Sequence, residues 1–245
     1  MTALVTGAGT GIGRGLAVGF AEAGASVAIC GRTPSTLDET AAAIEGAGGR
    51  ALAIPADVTQ VEDVQRGVAT IIETWGSLNV ACNNAGVNNW VDSVNLAESD
   101  WDWIYDTTTK GAFFCTQAEA RVMIAAGSGS IINLASMSAR VTNRSQMQAH
   151  YNSSKAALVQ LTKSLAAEWA PLGVRVNTLS PGYTRTEMAD APRTREAQPI
   201  WTRDTPMGRM AEVDELQGAA VFLASDASSY VTGHDLVVDG GFTVW

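Results

Sequence analysis

Short apolar runs alternate along the chain with longer segments in which apolar positions recur every three or four residues. The runs at Ala3–Thr6, Ser26–Cys30, Ala51–Ala56, Asn79–Cys82, Ser130–Leu134, Val174–Leu179 and Leu236–Val238 predict short buried β-strands. Between them, Ile12–Ala23, Ser35–Ala47, Val61–Trp75, Trp101–Ala126, Asn152–Pro171 and Val213–Ser225 show the spacing of helices with one apolar face. Gly24, Gly48–Gly49, Gly127–Gly129 and Gly173 follow several of these helices, where a C-terminus turns through positive φ. The alternation breaks between about Glu187 and Arg209, a charged stretch carrying Pro192, Pro199 and Pro206. An irregular segment of that length in a compact chain predicts a functional loop, here a substrate lid.

Strand, helix and strand in repetition predict a parallel sheet with helices on both faces, the doubly wound α/β (Rossmann) fold. A length of 245 residues fits one such domain over residues 1–245. The 46% hydrophobic and 17% charged composition is that of an ordinary globular protein, and no apolar run is long enough to cross a bilayer. The chain enters its first strand without a basic leader, so a cytoplasmic location is expected. A net charge of -9 with no Lys/Arg stripe argues against a nucleic-acid partner. Cys30, Cys82 and Cys115 are odd in number and far apart in apolar stretches, which predicts buried reduced thiols. Neither His150 nor His234 has a partner at metal-ligand spacing, so no catalytic metal is expected.

Chemistry first appears in Thr6-Gly7-Ala8-Gly9-Thr10-Gly11-Ile12-Gly13, between the first strand and the first helix. Glycines there let the backbone approach a pyrophosphate, and the N–H groups opening the helix point at the anion. The Thr-Gly-x-x-x-Gly-Ile-Gly spacing resembles the short-chain dehydrogenase/reductase family, and the resemblance continues over nearly the whole chain. It implies that Gly7, Gly9, Thr10, Gly11, Ile12 and Gly13 hold the phosphates of a nicotinamide dinucleotide. It also implies an adenine contact at Asp57-Val58 and a sheet-supporting motif beside the cofactor at Asn83-Asn84-Ala85-Gly86. Pro181 and Gly182, with Thr184 and Thr186 beyond them, resemble the segment that contacts the nicotinamide carboxamide.

A carboxylate at the end of the second strand would bind the ribose diol of NAD, whereas a cation without one suits the 2′-phosphate of NADP. That strand ends Cys30-Gly31-Arg32, so Arg32 points to NADP as the preferred cofactor, with NAD as the alternative. Tyr151 and Lys155 stand one helical turn apart on one face, close enough for the ammonium to favour the phenolate. Tyr151 can then take a hydroxyl proton or return one. The resemblance implies that Ser136, in Asn133-Leu134-Ala135-Ser136, holds the substrate oxygen; Ser138, thirteen residues before Tyr151, is the competitor. One departure stands out. Where the family has Asn in Val-Asn-x-x-Gly, joining a water-linked proton relay to the lysine, this chain has Thr107-Thr108-Thr109-Lys110-Gly111, with Thr108 at that position.

Asn143, Arg144, Gln146 and Gln148, with the ending Asp239-Gly240-Gly241-Phe242-Thr243-Val244-Trp245, resemble the polyol and sugar dehydrogenase branch. A polyol needs several hydrogen-bonding partners, which this loop supplies. The competing enzyme reading is reduction of a 3-oxoacyl thioester. A dinucleotide sensor that has lost catalytic efficiency, motivated by Thr108, is the reading from another class. The resemblance implies a small-molecule alcohol or carbonyl substrate. It also implies a homotetramer or homodimer built through Trp101–Ala126 and Asn152–Pro171.

Overall fold

The computed structural model describes residues 1–144 and 146–245, without the side chain of Arg193. Seven parallel strands form one sheet in the order β3-β2-β1-β4-β5-β6-β7. They are β1 (Thr2–Thr6), β2 (Ser26–Gly31), β3 (Arg50–Pro55), β4 (Val80–Asn83), β5 (Gly129–Leu134), β6 (Val174–Pro181) and β7 (Asp235–Val238). Alternate residues along the strands feed separate cores. Leu4, Ala81 and Ile131 face one side, packing against Val64, Val68 and Ile71 of α3 (Val61–Trp75). Ala3, Val5, Cys82 and Ile132 face the other, meeting Leu16 and Phe20 of α1 (Gly11–Glu22) and Leu37 and Ile44 of α2 (Pro34–Gly46). That two-residue period, with apolar residues on both sides, is why the strands read as continuous apolar runs. Cys30, Cys82 and Cys115 are all buried and free; burial pushes the Cys30 and Cys82 thiols up to about 12.

The order of the strands reverses between β1 and β4, whose C-terminal residues Thr6 and Asn83 are register partners. The crevice outside this reversal is where doubly wound sheets bind ligands. Beyond the sheet's C-terminal edge lies a satellite cluster of Ala189, Ala197, Trp201 and Met210, with Trp90 and Tyr183 against it.

Three expectations need correction. The segment about 187–209 is not irregular throughout: α7 (Pro192–Asp204) occupies most of it. Pro192 sits in the first helical turn, where the missing N–H costs nothing, and burial of Ala197 and Trp201 in the satellite cluster outweighs Pro199 within the helix. The expected helix Trp101–Ala126 is divided into α4 (Glu98–Tyr105), a π-helical stretch Asp106–Gly111 and α5 (Ala112–Ala126). The wider turn places Thr108 in the interior. The helix expected over Val213–Ser225 opens as a 3-10 turn, Val213–Leu216, before α8 (Gln217–Ala224). Among the described residues, no helix is long and apolar enough to cross a membrane.

Candidate active site

The glycine-rich turn leaves β1 at Thr6 and enters α1 at Gly11, with Gly7 at φ 63° and Gly11 at φ 53°. Two glycines are needed for close approach: a Cβ on Gly13 would lie 2.2 Å from Gly7 O, and one on Gly7 would lie 2.8 Å from Asn84 Nδ2. The turn is tied to the end of β4 by Asn84, whose Nδ2 donates to Thr6 O and Gly7 O, both at 3.0 Å. The Ala85 N–H donates to Thr6 Oγ1 at 3.1 Å. No side chain caps the first turn of α1 and no acid stands in it, so its N–H groups remain available to an anion. In front of them lies a cavity of about 280 Å³.

Gly7, Thr10, Gly11, Ile12 and Gly13 line that cavity from one side, and Asn84, Ala85 and Gly86 from another. Pro181, Gly182 and Thr186 close it beyond β6, with Ser136, Tyr151 and Lys155 at the remaining wall. Backbone donors, a close-approach glycine pair and a buried cation are the donor set that a dinucleotide requires, so these residues fit one. Thr184 lines the adjoining cavity instead. Gly9, Arg32, Asp57 and Val58 line neither. Arg32 is exposed just past β2, beside the end of β3 and two residues short of α2. Asp57 accepts from the N–H and hydroxyl of Thr59, each at 2.9 Å, in a turn following β3. Gly9 O accepts from Arg14 Nη2 at 2.6 Å.

Tyr151 lies in the first turn of α6 (Ala149–Trp169), and Lys155 follows one turn later. Lys155 Nζ is 5.7 Å from the Tyr151 ring centroid and donates to Leu134 O at 2.7 Å. Burial pulls the Lys155 ammonium down to about 8. Burial also raises the Tyr151 phenol above its usual 10, while its hydrogen bond with Ser136 works the other way. Ser136, just beyond β5, lines both cavities, as does Tyr151. Ser138 is committed elsewhere, its hydroxyl donating to Asn143 Oδ1 at 2.7 Å.

Thr108 is 0% exposed, and its Oγ1 has no hydrogen-bond partner. A point one carbon out from Gly86 Cα lies 3.6 Å from Lys155 Nζ, 3.7 Å from Asn84 O and 3.9 Å from Thr108 Oγ1. The bare glycine therefore leaves three polar groups facing one small space.

The adjoining cavity, about 300 Å³, runs from Ser136 and Tyr151 to the satellite cluster. One wall is a chain of amides: Asn88 Nδ2 donates to Gln148 Oε1 at 2.9 Å, and Gln148 Nε2 donates to Asn152 Oδ1 at 3.0 Å. Asn143 Nδ2 donates to Tyr183 OH at 3.1 Å, and that hydroxyl donates to Gln146 Oε1 at 2.9 Å. Aromatic rings continue the lining from there, with Tyr183 stacked on Trp201 at 4.3 Å and Trp90 edge-on at 6.2 Å. Asn143, Gln146 and Gln148 were expected here; Arg144 does not line it. Asn88, Trp90, Tyr183 and Trp201 were not anticipated from the sequence. Asn88 could have been suspected as a further amide directly beyond Asn83-Asn84-Ala85-Gly86, and Trp201 as a large apolar residue in a charged segment. Among the described residues, no group of three or more His, Cys, Asp or Glu is placed to hold a metal ion.

The family model described as enoyl-(acyl carrier protein) reductase matches residues 7–243. A galactitol 2-dehydrogenase (L-tagatose-forming) of Cereibacter sphaeroides is 43% identical over 99% of this chain and 95% of its own. The crystal structure of a short-chain type dehydrogenase/reductase from Mycobacterium marinum superposes with a TM-score of 0.96 at 43% identity, covering 99% of this chain and 95% of that one. A gluconate 5-dehydrogenase from Burkholderia cenocepacia J2315, solved in complex with NADP and tartrate, gives a TM-score of 0.92 at 36% identity over 100% and 95% of the two chains.

Proposed function

This chain belongs to the short-chain dehydrogenase/reductase family, and on that footing we propose that it interconverts a secondary alcohol and a ketone on a polyol or sugar, with NADP as its preferred cofactor. The observation that carries the reading is the placement of Ser136 and Tyr151. Both residues stand in the wall shared by the dinucleotide-fitting cavity and the amide-lined one. A carbinol oxygen bound between them would have its carbon facing the first cavity.

When bound, the dinucleotide supplies the hydride acceptor or donor. Ser136 holds the substrate oxygen, and Tyr151 removes its proton in oxidation or returns one in reduction. A buried phenol is a poor base, so ionising it requires positive charge nearby, which Lys155 provides. The Lys155 ammonium is itself anchored by Leu134 O, which fixes its distance from the ring. Thr108 Oγ1, Asn84 O and Lys155 Nζ face the space over Gly86, and a water there would join them in place of the family's asparagine amide. The preference for NADP rests on Arg32, a guanidinium in Cys30-Gly31-Arg32, where the strand ends without an acid in its own sequence. Residues 187–209, with α7 inside them, form the cover of the substrate cavity, to which they contribute Met188, Thr194 and Trp201. The exposed Trp101 and Trp103 on α4 support assembly into a homodimer or homotetramer through that region.

The test is turnover of sugar alcohols by wild type and Tyr151→Phe, with NADP affinity measured in parallel by protein fluorescence. Loss of turnover with retained cofactor binding is expected, because the ring's packing survives while the proton carrier is gone. A near-normal kcat in the variant would overturn the assignment.

A further inference from the structure

Every described residue lining the amide-walled cavity is uncharged: neither a Lys, Arg nor His, nor an Asp or Glu, reaches it. Lys155 lines the neighbouring cavity, with its ammonium on Leu134 O. The amides of Asn143, Gln146 and Gln148 are spent largely on one another and on Tyr183. Two buried polar atoms on this cavity's residues remain without partners: Asn88 Oδ1, an acceptor, and Trp201 Nε1, a donor on a ring 4% exposed. These two atoms ask for different things. Asn88 Oδ1 needs a ligand that donates, and the Trp201 N–H needs one that accepts. A hydroxyl does both, whereas a carboxylate or phosphate only accepts.

We infer that the compound turned over here is an uncharged polyhydroxyl chain, and that the site discriminates against otherwise similar substrates bearing a carboxylate or phosphate. The inference rests on the polyol reading above and narrows it. An anionic group in this cavity would leave water for a wall of amides and aromatic rings with no counter-charge, the situation in which burying a charge is most costly. The long-range field opposes it too, since the chain carries a net charge of -9. A neutral hexitol meets neither penalty: it carries no charge, and its hydroxyls can both donate to an acceptor such as Asn88 Oδ1 and accept from a donor such as the Trp201 N–H.

The experiment is a panel of hexitols, each paired with the aldonate of the same stereochemistry, assayed with oxidised NADP. The members of a pair differ only in CH2OH against carboxylate at one end. The hexitol should be favoured in kcat/KM by about 100-fold or more, the discrimination expected when one member leaves a buried charge unpaired. A Gln146→Arg variant supplies the missing cation and should shift that ratio toward the aldonate by about tenfold or more. Tryptophan fluorescence, in the presence of NADP, should respond to the hexitol and not to the aldonate. Turnover equal within pairs, or better for the aldonates, overturns this inference and leaves the function reading standing. If no member of either series is turned over although NADP binds, the function reading fails and this inference falls with it.

Discussion

Glu119 on α5 is 0% exposed, and replacing it by Gln should make the protein's stability markedly less sensitive to pH. Asn83 Nδ2 donates to its Oε2 at 2.9 Å, whereas its Oε1 is buried without a partner. Burial raises its carboxyl from 4.5 to about 8, with the Asn83 hydrogen bond pulling weakly the other way. The folded protein therefore holds this proton at neutral pH. Below about pH 4.5 the acid is protonated in both states and contributes no pH dependence. Between there and about pH 8 the unfolded chain releases the proton while the folded one keeps it, so stability falls as pH rises; above about pH 8 the loss levels off. At about 1.4 kcal/mol for each pH unit of that window, the total is roughly 5 kcal/mol, of which roughly 3 is already lost at pH 7. Glu119→Gln keeps an acceptor for Asn83 and has nothing to titrate. Urea unfolding of both proteins between about pH 5 and pH 7.5 reads the effect. The stability difference between them should change by roughly 3 kcal/mol in the variant's favour over that range. His150, whose imidazole burial holds below its usual value, acts alike in both proteins and cancels. A fixed offset added to a difference that grows with pH is tolerable; a difference that stays the same from about pH 5 to pH 7.5 would show that Glu119 does not carry a buried proton.

Other substitutions address the site. Arg32→Ala should weaken NADP binding about tenfold or more and leave NAD binding nearly unchanged, since a charge-assisted bond to phosphate is worth roughly 1.5–3 kcal/mol; titration with both dinucleotides checks this, and equal losses would show that Arg32 does not read the phosphate. Thr108→Asn should raise the single-turnover rate of hydride transfer more than it changes KM, because a relay acts in the chemical step; no gain at any pH would mean that the proton path runs through other groups. Ser136→Ala should cost about 100-fold or more in kcat, while Ser138→Ala, which only loosens Asn143, should act mainly on KM; the reverse ranking would exchange the roles of the two serines.

The parts of this molecule that could be read from the sequence are those whose chemistry is local in the chain. The turn from Thr6 to Gly13 is specified by adjacent residues, and Tyr151 and Lys155 are one helical turn apart, so backbone geometry alone brings their partners together. Strands buried on both faces declare themselves as apolar runs, although β4 is displaced by one residue from the expected Asn79–Cys82. Where tertiary contacts outvoted local preference, the reading failed. The sequence Pro192–Asp204 has poor helical credentials, and only the docking of Ala197 and Trp201 against Trp90 and Tyr183 accounts for its helix. The π-helical stretch at Asp106–Gly111 is invisible to a 3.6-residue period for the same reason, since it is an extra residue accommodated where Gly111 packs against Val58.

The substrate wall was the least legible, and the cause is topological. Asn88 and Trp90 follow β4, Asn143 to Gln148 lie in the connection between β5 and α6, Tyr183 follows β6, and Trp201 is on α7. Each belongs to a loop or helix that the sheet brings to its C-terminal edge, so no pair among those four segments has a spacing that sequence periodicity could register. The sequence did suggest the amides at Asn143, Gln146 and Gln148, but it kept Arg144 among them as a further hydrogen-bonding partner for a polyol. In the fold Arg144 does not line the cavity, and the stacked Tyr183–Trp201 pair joins the amides there. Which side chains of the loop line the cavity is decided by the fold, and that is why a preference between hexitol and aldonate can be argued from the three-dimensional site but not from the motif.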